Sequence, residues 1–83
     1  MQANERLLQR ITARPDVFGG KPIVRDLRIS VEMVLSLFAQ VVATDDILDD
    51  YPDLEAEDVL ACTAYAHAVI ARDTLASVSV PGR

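Results

Sequence analysis

Glycine is absent from positions 21 to 81, and four chain breakers, Pro15, Gly19, Gly20 and Pro22, crowd into one short stretch near the start. Glycine and proline supply the backbone conformations that tight turns require. A chain built this way divides into a broken N-terminal part and a long part free to form helices, interrupted inside only by Pro52. Residues 1–83 therefore read as a single domain: a strand-and-turn arm (1–30), a helical body (31–72) and a flexible tail (73–83).

In the arm, short β-type runs flank the breakers. Arg10-Ile11-Thr12 lies on one side; Pro22-Ile23-Val24-Arg25 and then Leu27-Arg28-Ile29 lie on the other. Gly19 and Gly20 supply positive φ for the turn, and Pro22 stiffens its exit into a strand. Two short strands are marginal alone in water, so this β-hairpin-like arm must pack on the helices or pair with another chain.

The body predicts three helices. The first starts after Ser30, a good N-cap, with Glu32 in its positive first turn. Val31, Val34, Leu35, Phe38, Val41 and Val42 form its apolar stripe. Thr44 is expected to cap a second, short helix in which Ile47, Leu48 and Tyr51 face inward, and Pro52 ends it. A third runs from about Glu55 to Arg72, with Val59, Cys62, Thr63, Ala66, Val69 and Ile70 along one face. Leu60, Ala61, Ala64, Tyr65 and Ala68 spread the apolar surface further round. A helix apolar on nearly all sides is buried on more than one of them. Residues such as Val59, Ala66 and Ile70 are thus expected in the core or in a homodimer interface.

The chemistry-bearing residues are few. Cys62 has no second cysteine to pair with, which suits a reducing, cytoplasmic setting, and it has no basic neighbour in the sequence to activate it. His67 and Cys62 do not share a helix face. The acids from Asp45 to Asp58 lack the glycine of a calcium loop and sit where helix starts favour negative charge. Gly19-Gly20-Lys21-Pro22 lacks the spacing of a phosphate loop. No nucleophile–base pair is visible, so no enzyme, no metal and no cofactor is expected. The longest apolar stretch, Val31 to Ala43, is broken by Glu32, Ser36 and Gln40, which argues against a membrane span.

Charge separates the two parts. Residues 1–30 hold six of the eight basic side chains (Arg6, Arg10, Arg14, Lys21, Arg25, Arg28) against Glu5, Asp16 and Asp26. Residues 31–73 hold ten acids against Arg72 alone. A short helix, a turn and a longer helix make the helix-turn-helix outline. Its reading end here is Glu55, Ala56, Glu57, Asp58, which would repel phosphates. DNA contact, if made, belongs to the basic arm.

Taken in order, Arg10-Ile11, Pro15, Gly19-Gly20-Lys21-Pro22-Ile23, Arg28-Ile29, Val31, Ile47-Leu48, Tyr51-Pro52, Leu54, Asp58-Val59, Ala61 and Tyr65-Ala66 resemble a widespread prokaryotic family. That family was long labelled only as a domain of unknown function and is often called VapB-type antitoxin. The resemblance covers about residues 9–72. It implies a mainly α, three-helix, homeodomain-like helix-turn-helix domain that dimerises and restrains a PIN-like ribonuclease. The chain departs from the family at Asp26-Leu27, where Gly-Thr is usual, at Glu55, where a capping Ser or Thr is common, and near Ala43, where a glycine is missing. A nuclease centre is a cluster of carboxylates, and arginine meets carboxylate with two parallel hydrogen bonds. Arg25 and Arg28, supported by Lys21 and Arg10, are the expected partner-binding residues. A dimeric DNA-binding regulator and a simple oligomerisation module are the alternatives.

Overall fold

The computed structural model describes residues 2–72; the tail expected at 73–83 lies outside them. Along the chain come α1 (Gln2–Leu8), β1 (Ile11–Ala13), a 3₁₀ turn (Phe18–Gly20), β2 (Pro22–Val24), α2 (Val31–Ala39), α3 (Thr44–Asp50) and α4 (Ala56–Arg72). The protein is mainly helical, with four helices and one small antiparallel sheet among the described residues.

The sheet pairs Ile11 with Val24, Thr12 with Ile23 and Ala13 with Pro22. Gly19 and Gly20 take φ of 64° and 89°, which turns the chain between the strands. Ile23 and Val24 are fully buried, so the arm is anchored in the core. Two expectations for the arm need correcting. Gln2–Leu8 is a helix, not part of a strand-and-turn segment. A helix of 7 residues is marginal alone, and contact with α4 is what supports it. Leu27-Arg28-Ile29 is not a strand: Leu27 N–H donates to Val24 O (2.9 Å) in a turn, and a single bridge joins Ile23 to Ser30. The left-handed residue of that turn is Arg25, at φ 47°.

Ser30 caps α2 as its sequence suggests, its hydroxyl accepting from Met33 N–H at 3.0 Å. The helix ends earlier than the apolar stripe implied. Val41 N–H donates to Phe38 O (2.9 Å) and Val42 N–H to Leu37 O (3.0 Å), the pattern of a Schellman stop. Val41 holds φ 66° there and is 90% exposed, so it belongs to the helix stop and not to the core stripe. α3 begins with Thr44 as a helical residue, and Ala43, which makes no side-chain cap, precedes it. Pro52 follows Tyr51, the C-cap of α3.

The core gathers Val24 from the arm, Val31 and Val34 from α2, Ile47 from α3, Leu54 from the turn, and Val59 and Cys62 from α4. Burying an aliphatic side chain of this size contributes about 1.5–3 kcal/mol, so these contacts dominate the stability of a small domain. The buried face of α4 is Asp58, Val59, Ala61, Cys62 and Ala64. Its expected stripe therefore leaves the core after Cys62: Thr63 is exposed, Ala66 is half-buried, and Val69 and Ile70 are 44% and 62% exposed.

Candidate functional site

Three of the four arm cations expected to meet a partner meet this chain's own acids instead. The carboxylate of Asp58, the third residue of α4, is completely buried. Its Oδ1 accepts from Arg10 Nη1 (2.8 Å) and Arg25 Nε (3.0 Å). Its Oδ2 accepts from Arg25 Nη2 (2.6 Å) and from Glu55 N–H (2.8 Å). The last bond closes the start of α4 from inside the helix, the half of a capping box that a third-position acid provides. Arg25 also donates to Asp53 O (2.9 Å), and Arg10 Nη1 to Glu55 Oε1 (2.8 Å).

The electrostatics of the cluster follow from these bonds. Burial pushes the Asp58 carboxyl up, but hydrogen bonds from Arg25, the Glu55 amide and Arg10 outweigh it and hold the group below the usual carboxylate range. The guanidinium of Arg10 is raised by its hydrogen bonds to Glu55 and Asp58, and that of Arg25 by its bonds to Asp58. The left-handed conformation of Arg25 persists because both ends are held: its N–H donates to Arg10 O and its side chain grips Asp58.

Lys21 pairs with Glu32 at 2.6 Å, and that bond lowers the Glu32 carboxyl. Arg14 pairs with Asp26 (2.5 Å) and Asp16 (3.6 Å). Arg28 is exposed and makes no ion pair among the described residues. Cys62 is buried, and burial together with Asp58 pushes its thiol up to about 11. Among the described residues no cluster of three or more His, Cys, Asp or Glu is arranged to hold a metal ion, and no helix is long and apolar enough to cross a membrane.

A separate concavity, lined by none of Arg10, Arg25 and Asp58, borders the arm at Lys21 and Pro22. It is an open groove of about 670 Å³ between α2 and the C-terminal half of α4. Val31 and Leu35 form one side; Tyr65, Ala66, Val69 and Ile70 form the other; Lys21 and Pro22 of the arm close one edge. Tyr65 and Val69 also line a smaller concavity of mixed polarity with Leu8, Ile11, Ala68 and Arg72. Of the residues singled out from the sequence, Ala66 and Ile70 line this groove, whereas Val59 sits in the core. Sequence reasoning missed the Asp58 cluster. The available signal was an acid at the third position of a helix with a poor N-cap, in a chain with unpaired-looking arginines.

A family model described as "Protein of unknown function (DUF433)" matches residues 11–66. The chain is also similar to "Uncharacterized protein y4eO" of Sinorhizobium fredii (strain NBRC 101917 / NGR234), at 34% identity over 58 residues. That match covers 70% of this chain but only 26% of the relative's length. No solved structure gives a significant match.

Proposed function

Given that the chain belongs to the family described as "Protein of unknown function (DUF433)", we propose that it is a non-catalytic protein-binding module that restrains a PIN-like ribonuclease. We further assign the docking surface to the groove between α2 and α4. The partner class rests on the antitoxin resemblance of residues 9–72. The surface rests on one observation: Val69 and Ile70 stand exposed beside an apolar groove while most of the arm's cations are engaged internally. Exposed apolar side chains that line a concavity on a small domain mark a contact surface. An apolar segment of the nuclease fits it by the same burial that drives helix-in-groove recognition. Arg28, with no ion pair among the described residues, is the arm residue left to meet a partner carboxylate.

The test is an RNA-cleavage assay on the PIN-like nuclease of the neighbouring open reading frame. Wild-type protein should inhibit it, Val69→Glu/Ile70→Glu should not, and Arg14→Ala, which pairs only with Asp16 and Asp26 and does not line the groove, should inhibit as wild type does. Retained inhibition by the groove variant would move the contact elsewhere. Absence of any complex between the wild-type proteins would sink the antitoxin reading, leaving a dimeric regulator that touches DNA through its arm.

A further inference from the structure

We infer that Asp58 is a positioning residue for the groove: by gripping Arg10 and Arg25 it fixes the arm on α4, and so sets where Lys21 and Pro22 stand as the groove's edge. This rests on the groove being the working surface, not on the identity of what fills it. The arm is attached at two polar points. Arg10 immediately precedes β1 and Arg25 immediately follows β2, so both tie one end of the sheet to Asp58. Lys21, immediately before β2, ties the other end to Glu32 of α2.

The two attachments are unequal. The Lys21 and Glu32 side chains are 58% and 70% exposed, so water screens that pair and both side chains are free to leave it. Asp58 is inaccessible to water and accepts four hydrogen bonds, two of them from one guanidinium in fork geometry. Such a joint fixes direction as well as distance. Ile23 and Val24 hold the strand in the core by apolar packing, a force without direction. The Asp58 cluster supplies the direction. Pro22, the first residue of β2, leads directly to the gripped end of the strand, so a tilt at Arg25 is carried to the groove edge.

The experiment measures the arm's position directly. Spin labels are placed at Asp16→Cys, in the turn end of the arm, and Ala71→Cys, near the end of α4; both sites are exposed and neither contacts the cluster or lines the groove. Buried Cys62 stays unlabelled. Pulsed electron resonance should give one narrow distance distribution for the otherwise wild-type chain. Asp58→Asn should widen it about twofold or more, since a locked geometry is lost. Asp58→Glu, which keeps the charge and the capping position, should recover most of the narrow distribution. Val59→Ala, which destabilises the neighbouring core without touching the ion cluster, should leave it unchanged. If Asp58→Asn fails to fold by circular dichroism, Arg25→Gln serves in its place with the same expected widening. A variant distribution that superimposes on wild type, or equal widening by Val59→Ala, overturns the inference. Widening by Asp58→Asn in a protein that binds no nuclease would leave the inference standing and remove the proposed function.

Discussion

In the arm, Arg10 and Arg25 turn toward the helices and end on a carboxylate with no access to water. In α4 the opposite happens: Leu60, Val69 and Ile70 turn away from the core and stand 55%, 44% and 62% exposed. The segment that looks polar in sequence is bound inward by charge, and the segment that looks like core keeps apolar surface outside. Side-chain type alone does not say which way a residue faces in a domain this small. A short helix on a shallow core can bury only part of its circumference, and a cation beside a helix start finds an acid before it finds a partner.

The sharpest way to break that contrast is to remove the acid. Asp58→Ala leaves Arg25 without a carboxylate partner and Arg10 with Glu55 alone, and it uncaps α4. Urea denaturation should show a loss of about 3 kcal/mol, the low end for a broken buried pair because the arginines, 30% and 38% exposed, can rehydrate. The pH dependence carries the same sign. The folded carboxyl lies below its unfolded value, so its contribution is present above about pH 4 and is lost as pH falls through the lower folded value. Acid unfolding monitored by circular dichroism should therefore set in below about pH 4. Asp58→Asn should flatten that limb.

Cys62 sharpens the comparison from the core side. Its folded thiol is raised to about 11, above the ordinary thiol value, so its contribution is intact at neutral pH and is lost as pH climbs toward that value. Stability measured by urea titration should fall by on the order of 1–2 kcal/mol between pH 8 and 11, less so in Cys62→Ala. At neutral pH a thiol reagent should modify Cys62 only at the rate of unfolding.

At the junction of the two regions, Val41→Gly should stabilise the protein by about 0.5–1 kcal/mol in the same titration. The left-handed conformation costs a β-branched residue more than glycine's added chain entropy does. Because Val41 is 90% exposed, little packing is lost. The smallest effect on stability is expected at the groove: Ile70→Ser should change it by less than about 0.5 kcal/mol, as exposed substitutions do. If it also leaves nuclease inhibition intact, the exposed apolar face is not the contact surface.

The sequence by itself determined the features whose causes are local. Ser30 caps α2 with its own hydroxyl, Pro52 follows the end of α3, and Gly19 and Gly20 turn the arm between two strands that their composition announced. Each needs only a few neighbouring residues to decide it. Helix α1 fell outside that reach, since its 7 residues carry no cap signal and depend on α4 for support. The fate of the arginines did too. Arg10 and Arg25 lie 48 and 33 residues from Asp58, and nothing local distinguishes them from Arg28, which stays exposed. Only the folded chain decides which cations reach the buried acid, because that pairing depends on how the sheet crosses the start of α4. The same placement decides that α4 shows Val69 and Ile70 to solvent beside a groove: once Val59 and Cys62 fill the core, no element among the described residues is left to cover them.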